Sequence, residues 1–330
     1  MAKLDIVTVV FAAEMELLRL QARSFARHLP AEIVGHILVV VNDIDPVSVA
    51  REVENLRSEY GPLQHKLRIV QPEDVISRPR SLKQRLMRLH MRQRRMNRNG
   101  WWSFGGWHVQ QFLKLLAARE ASSDYLIIVD AKNTLMKDVV FGDFVDGKGR
   151  PRTYDVLPTS QQWSWVCGSY EALGFRPPDT VMEVTPTVTP VVYGRVWMLT
   201  AIEYLESKLG PLEYYFTMKK KDTTEFMLVH AYAEIECGGF RNVFGDGLTP
   251  PTTIFSAELA GGIENKLTAA ARGECVFFAV HRLKYAELTN EQADRLCQAW
   301  QKAGIVSDLA EGQTTFARLA ALSAKPTYLG

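Results

Sequence analysis

The chain has 330 residues, 47% hydrophobic and 23% charged, an ordinary globular composition with enough apolar material for a large core. A formal net charge of +2 excludes a polyanion binder acting through bulk charge, and no stretch reaches the ~18 uncharged apolar residues of a membrane-spanning helix. The opening segment MAKLDIVTVVFAAEMELL shows neither a basic leader nor a cleavage site. The four cysteines (Cys167, Cys237, Cys275, Cys297) form no C-x-x-C pair, so a reducing, cytoplasmic setting is expected.

In chain order, the β-branched run over 4–11 predicts a strand buried on both faces. Leu17, Leu18, Ala22, Phe25 and Leu29 recur at helical spacing after it. A second buried strand over 33–41 ends at Asn42-Asp43, followed by a helix over 47–59 and a strand near 67–71. Strand and helix alternating in this way predict a mostly parallel sheet with crossover helices. No acid occurs between 75 and 119, and 78–98 holds nine Lys or Arg around a Leu/Met stripe of Leu82, Leu86, Met87 and Leu89. This basic helix is expected to stop at Asn99-Gly100. Another starts near Trp107 and leads into the buried strand YLIIVD, which ends at Asp130.

The second half is less regular. Helices are expected over 160–173, 195–209 and 223–236, a strand at 277–281, and closing helices near 290–302 and 307–323. TPTVTP (185–190) reads as a stiff extended connection. No repeat or long linker marks a second domain. One domain over 1–330 is expected, with a donor half (1–145) that includes the basic helix and an acceptor half (146–330).

In open α/β sheets ligands bind beyond the carboxyl ends of strands. Asp130-Ala131-Lys132-Asn133 therefore offers an anion, a cation and an amide where a phosphate-bearing ligand would sit, although Asp and Asn also simply favour turns. No G-x-G-x-x-G follows the first strand and there is no Walker loop, which argues against a Rossmann dehydrogenase and a P-loop NTPase.

GWHVQQFLKLLAAREASSDYLIIVDAKNTLMKDV (106–139) resembles the segment that carries the metal-binding D-x-D motif of GT-A glycosyltransferases. It is closest to an uncharacterised bacterial glycosyltransferase-like family associated with surface polysaccharide genes. The resemblance implies a GT-A-like, Rossmann-like α/β fold and transfer of a hexosyl or related sugar from a nucleotide-sugar donor to a glycan or lipid-linked acceptor. It also implies Asp130 as first acid of the motif, with Gln111 and Lys114 directed at the donor. Lys132 or Asn133 stands where the second acid belongs. Either Asp130, Asn133 and a distant ligand still hold Mn²⁺ or Mg²⁺, or the Lys132 ammonium replaces the metal's charge.

The same resemblance places the loop Phe11-Ala12-Ala13-Glu14 and the strand end Asn42-Asp43 at the nucleotide base. It places Glu225 of DTTEFMLVHAY at the acceptor, and His281 and Arg282 on the metal or diphosphate. Each has a plain structural alternative: a first-turn acid favoured by the helix dipole for Glu14, a turn for Asn42-Asp43, a capping box Asp222-x-x-Glu225 with Thr223 and Thr224 as further capping candidates, and a satisfied core histidine for His281. Trp163 and Trp165 are open to stacking on a sugar or to filling the core. For the basic helix the expected partners are an anionic membrane surface, favoured by Trp101-Trp102, or an acidic polysaccharide. That puts the protein at the inner face of the membrane. The stripe docking on the core is the alternative, and nucleic acid is not expected. Two other function classes remain, a nucleotide-sugar or glycan binder without catalysis and a nucleic-acid binder through 78–98.

Overall fold

A computed structural model of the chain describes residues 2–79, 81–96, 104–218 and 222–323, with the backbone alone for 94–96. The expected helix end at Asn99-Gly100, the Trp101-Trp102 pair and the side chains of Arg94 and Arg95 lie outside the described residues.

The first half alternates β1 (Leu4–Val10), α1 (Met15–His28), β2 (Val34–Val41), α2 (Pro46–Asn55) and β3 (Leu67–Val70). Helix α2 ends earlier than its spacing suggests. Gly61, at φ 48°, and Pro62 break the pattern, and the chain winds on as 3₁₀ turns over Arg57–Lys66. Next come α3 (Pro72–Val75), the basic α4 (Leu82–Met96), α5 (Gly106–Leu116), β4 (Tyr125–Asp130) and the short β5 (Asn133–Leu135).

The remainder comprises β6 (Arg152–Thr153), α6 (Ser160–Leu173), β7 (Val191–Gly194), α7 (Arg195–Leu209), α8 (Leu212–Met218) and α9 (Glu225–Glu236). It continues through β8 (Gly245–Asp246), β9 (Thr252–Ile254), α10 (Ala260–Arg272), β10 (Phe277–Val280), α11 (Asn290–Lys302) and α12 (Leu309–Ser323). The sequence pattern misses α3 and the short strands β5, β6, β8 and β9, and three further elements escape it. Strand β7 is only four residues long and follows directly on the proline segment. Helix α8 also goes unanticipated. Helix α10 opens through Gly261 and Gly262, which read as breakers, yet Ile263, Leu267 and Ala270 recur on one face and bury it.

The central sheet runs β3-β2-β1-β4-β7. Its first four strands are parallel, and β7 joins β4 antiparallel with Ile127 opposite Val192. Side chains alternate between two apolar layers: Ile6, Ile37 and Val39 lie in one, Val7, Leu38 and Val40 in the other. Fully buried Asp5 locks the start of β1 to both neighbours. Its carboxylate accepts hydrogen bonds from the backbone N–H of His36 (2.7 Å), Ser122 (2.5 Å) and Ser123 (2.8 Å).

The strand order reverses between β1 and β4. From β1 the chain moves outward to β2 and β3, then returns to place β4 on the other side. The carboxyl ends of β1 and β4 therefore open a crevice at a topological switch point.

Candidate functional site

Asp130 closes β4 with Val9 of β1 as its register partner, so both strands deliver their ends to one place. The turn after Asp130 is braced from two sides. From α1, Gln21 donates to the carbonyls of Asp130 (2.7 Å) and Asn133 (3.3 Å), and Thr8 of β1 holds Gln21 (3.0 Å). From the proline segment, the Thr189 hydroxyl donates to Asn133 Oδ1 (2.8 Å), which also accepts the Asp130 N–H (2.9 Å). TPTVTP lies at the site, where the resemblance expects a comparable stretch near the acceptor side, rather than serving as a plain rigid connection. One of its threonines fixes the turn, and Thr187, Val188 and Thr189 line the crevice.

Around Asp130 lies a cleft of about 340 Å³, within the range of small-molecule sites. Phe11, Glu14, Asn42, Lys114, Lys132, Glu225, His281 and Arg282 all border it. Helix α5 starts at Gly105 (φ 86°) and buries Val109, Phe112, Leu113 and Leu116, which turns Lys114 in its last turn toward the cleft. On α9 the cap is Thr224, whose side chain accepts from the Met227 N–H (3.4 Å), rather than an Asp222–Glu225 box. Glu225 occupies the first helical position, where the dipole favours a carboxylate.

The charges are interlocked. Lys114 Nζ sits 2.9 Å from Asp130 Oδ1 and 3.3 Å from Glu225 Oε1, and Lys132 Nζ sits 2.6 Å from Asp130 Oδ2. Burial alone raises a carboxyl's pKa, but the two lysines outweigh it and hold Asp130 far below the usual carboxylate range. Burial likewise opposes a charged Lys114, yet Asp130 and Glu225 prevail and lift its pKa above the ordinary lysine value. Glu225 is pushed up by burial, with Lys114 opposing.

Glu14 behaves differently. Its residue surface is only part-covered, but Oε2 is enclosed and has no hydrogen-bond partner among the described residues. Burial, then Asp130, push its carboxyl up to about 8, so it is largely protonated at neutral pH. Arg282, more than nine-tenths buried, faces the Phe11 ring at 5.8 Å, and its Nη1 has no hydrogen-bond partner among the described residues.

Four expected site residues take other positions. Ala12 and Asp43 do not border the cleft. The Asp43 carboxylate instead accepts the backbone N–H of Ala12 (2.8 Å) and of Asp45 (3.1 Å), bracing the loop. Gln111 faces a second cavity, and Gln110 takes the place by the cleft, a consequence of how α5 rotates to bury its apolar face. Asn133 is fully buried with its amide oxygen accepting two hydrogen bonds, so it is not free to ligate a metal.

The remaining set does not fit a divalent cation. Both Asp130 oxygens face ammonium groups, and no group of three acidic, His or Cys ligands assembles among the described residues. His281 Nδ1 accepts from the Leu283 N–H (3.4 Å). Burial, then the charges of Lys132 and Arg282, keep the ring below its ordinary pKa.

A larger cavity of about 890 Å³ adjoins the cleft and shares Trp107 and Trp165 with it. Gln161, Ser164, Glu171 and Asp222 bring polar groups to its wall, whereas Trp163 packs against the core.

Helix α4 is anchored by Arg88, which donates to buried Glu213 of α8 at 2.8 Å. Burial raises Glu213, with Arg88 opposing. Met91 turns inward, but Leu82, Leu86 and Leu89 are 73%, 58% and 53% exposed. The leucine stripe does not dock on the core. Among the described residues no helix is long and apolar enough to cross a membrane.

No curated protein matches the chain in sequence. Among solved structures, the S. cerevisiae mannosyltransferase Ktr4p in complex with GDP aligns at 10% identity over 74% of this chain and 69% of its own, with a TM-score of 0.44. The galactosyltransferase LgtC with donor and acceptor sugar analogs aligns at 13% identity over 98% of each chain, TM-score 0.41. Residues 6–258 match a family model, a span that contains every residue bordering the cleft except His281, Arg282 and Leu283. On that match the chain belongs to DUF6492, a family of unknown function.

Proposed function

We propose that the protein is a GT-A-like glycosyltransferase that moves a hexosyl or related sugar from a nucleotide-sugar donor to a glycan or lipid-linked acceptor. The carrying observation is the charge set at the switch point: Asp130 clamped between Lys114 and Lys132, with Arg282 across the same cleft. Cations fixed in a crevice stabilise charge that develops on a departing diphosphate. The enclosed, protonated Glu14 and the Asn42 side chain supply polar contacts for the base or ribose near Phe11.

In the proposed reaction an acceptor hydroxyl oxygen bonds the anomeric carbon while the bond from that carbon to the diphosphate oxygen breaks. The electron pair leaves on the nucleoside diphosphate, and Glu225 takes the hydroxyl proton. The 890 Å³ cavity, with Trp107 and Trp165 at its junction with the cleft, suits the acceptor, since indole faces stack on sugars. Donor half (1–145) and acceptor half (146–330) then act as one domain with the reaction centre between them.

Helix α4 suits an anionic membrane surface. Leu82, Leu86 and Leu89 form an exposed ridge flanked by Lys83, Arg85 and Arg92, and an acidic polysaccharide would leave that ridge without a partner. This placement, at the inner face of a bacterial membrane, fits a lipid-linked acceptor in surface polysaccharide synthesis.

Release of free nucleoside diphosphate across a panel of nucleotide sugars and acceptors tests the reading. Turnover with one donor is expected. Donors that bind but never turn over with any acceptor would instead favour a binding protein without catalysis, the reading that the missing second acid supports.

A further inference from the structure

We infer that this cleft grips a diphosphate directly, through Lys132 and Arg282, and does so without a divalent cation. The inference rests on reading the cleft as a sugar-nucleotide site and concerns how that site handles phosphate charge. A bridging metal needs carboxylate oxygens open to it, and here both Asp130 oxygens are held by ammonium groups at 2.9 and 2.6 Å. A cation entering that position would face Lys114 and Lys132 at close range and would have to displace both. Neither neighbouring side chain on the turn helps: the Ala131 methyl carries no ligand atom, and the Asn133 amide oxygen is turned inward under two hydrogen bonds. On the opposite wall His281 stands beside Arg282, with Lys132 near enough to depress its protonation.

The same arrangement is well suited to an anion. Lys132 Nζ carries three N–H donors, of which Asp130 engages one, and it stands where the resemblance expects the second acid. Arg282 brings a buried Nη1 with no hydrogen-bond partner among the described residues, the kind of unmet donor that a phosphate oxygen satisfies. With Glu14 protonated, three cations (Lys114, Lys132, Arg282) face two carboxylates (Asp130, Glu225), which leaves the cleft positive before any ligand enters.

Calorimetric titration of the full chain with UDP, GDP, ADP, CDP, dTDP and inorganic pyrophosphate, in EDTA and again in Mn²⁺, tests the inference. At least one nucleoside diphosphate and pyrophosphate should bind with dissociation constants that agree within about twofold between the two conditions. Lys132→Gln and Arg282→Gln should each weaken binding in EDTA by about tenfold or more, with circular dichroism confirming the fold. Lys132→Asp, which puts a second acid after Asp130, should abolish binding in EDTA. Binding that appears only with Mn²⁺, or that Lys132→Gln leaves unchanged in EDTA, overturns the inference and leaves sugar transfer standing. Pyrophosphate bound in EDTA with no nucleotide bound sinks sugar transfer and keeps the metal-free diphosphate site, whereas no binding of any of them sinks both.

Discussion

The cleft and helix α4 both concentrate positive charge, but they hold it in opposite ways. In the cleft each lysine is fixed against a carboxylate, Lys114 between Asp130 and Glu225 and Lys132 on Asp130, and the turn beneath them is pinned by Gln21 and Thr189. On α4 Arg88 has the buried partner Glu213, while Lys83, Arg85 and Arg92 face outward beside exposed leucines. Charges fixed in a crevice act at short range with geometric selectivity. Charges on an exposed helix act at long range, are screened by salt and select only for a surface of opposite sign.

Four perturbations test this contrast. The largest effect is expected from Lys114→Met, which leaves the buried Glu225 and the part-buried Asp130 carboxylates facing each other. Loss of one partner from such a network costs about 3–5 kcal/mol, measurable by urea denaturation, and a cost near zero would mean that the cleft charges are solvated like those of α4. Asp130→Asn keeps the shape but releases both lysines from their clamp. Transfer should fall by about 100-fold, while diphosphate affinity should hold or rise because a negative charge is gone. Weakened binding together with near-normal transfer would contradict the role given to the clamp.

The α4 test is next in size. Lys83→Gln with Arg85→Gln should lower partition onto phosphatidylserine vesicles by roughly thirtyfold, about 1 kcal/mol for each charge near the surface. Nucleotide binding should be unchanged, and an unaltered partition would remove α4 from the functional account. The smallest effect concerns Glu14. Its folded pKa of about 8 lies above the unfolded carboxyl value, so the folded state binds more protons and stability falls as pH rises from about 4.5 to about 8. Glu14→Gln should therefore raise the melting temperature by a margin that grows from pH 5 to pH 8 and then levels off. Diphosphate binding by the wild-type chain should weaken above pH 8 as Glu14 becomes charged, and by less in the variant. A constant margin across that range would show Glu14 to be ionised throughout.

Much of the fold is legible in the sequence because parallel strands buried on both faces leave continuous apolar runs, as in 4–11, 33–41 and 125–130. Short antiparallel β7 leaves no such trace, and α10 hides its period behind two glycines. At the site, Asp130 and Lys132 are legible because a strand end determines where they sit. Their partners are not. Lys114 meets Glu225 across more than a hundred residues of chain, and only the packing of α5 and α9 brings the two together. Gln110 and Gln111 differ by one step of helix rotation, which composition does not reveal. The inward turn of Asn133 depends on Thr189, far away in a segment whose only local signal is stiffness.

The most direct test is a thermal-shift screen of nucleotides and nucleotide sugars against the wild-type chain and Lys132→Gln in parallel. A cognate donor at a hundred times its dissociation constant stabilises by about 2.7 kcal/mol, enough to move the melting transition clearly, and the shift should shrink in the variant. A screen in which no nucleotide or nucleotide sugar moves the transition, or in which Lys132→Gln responds like the wild type, would contradict a sugar-nucleotide site at the ends of β1 and β4.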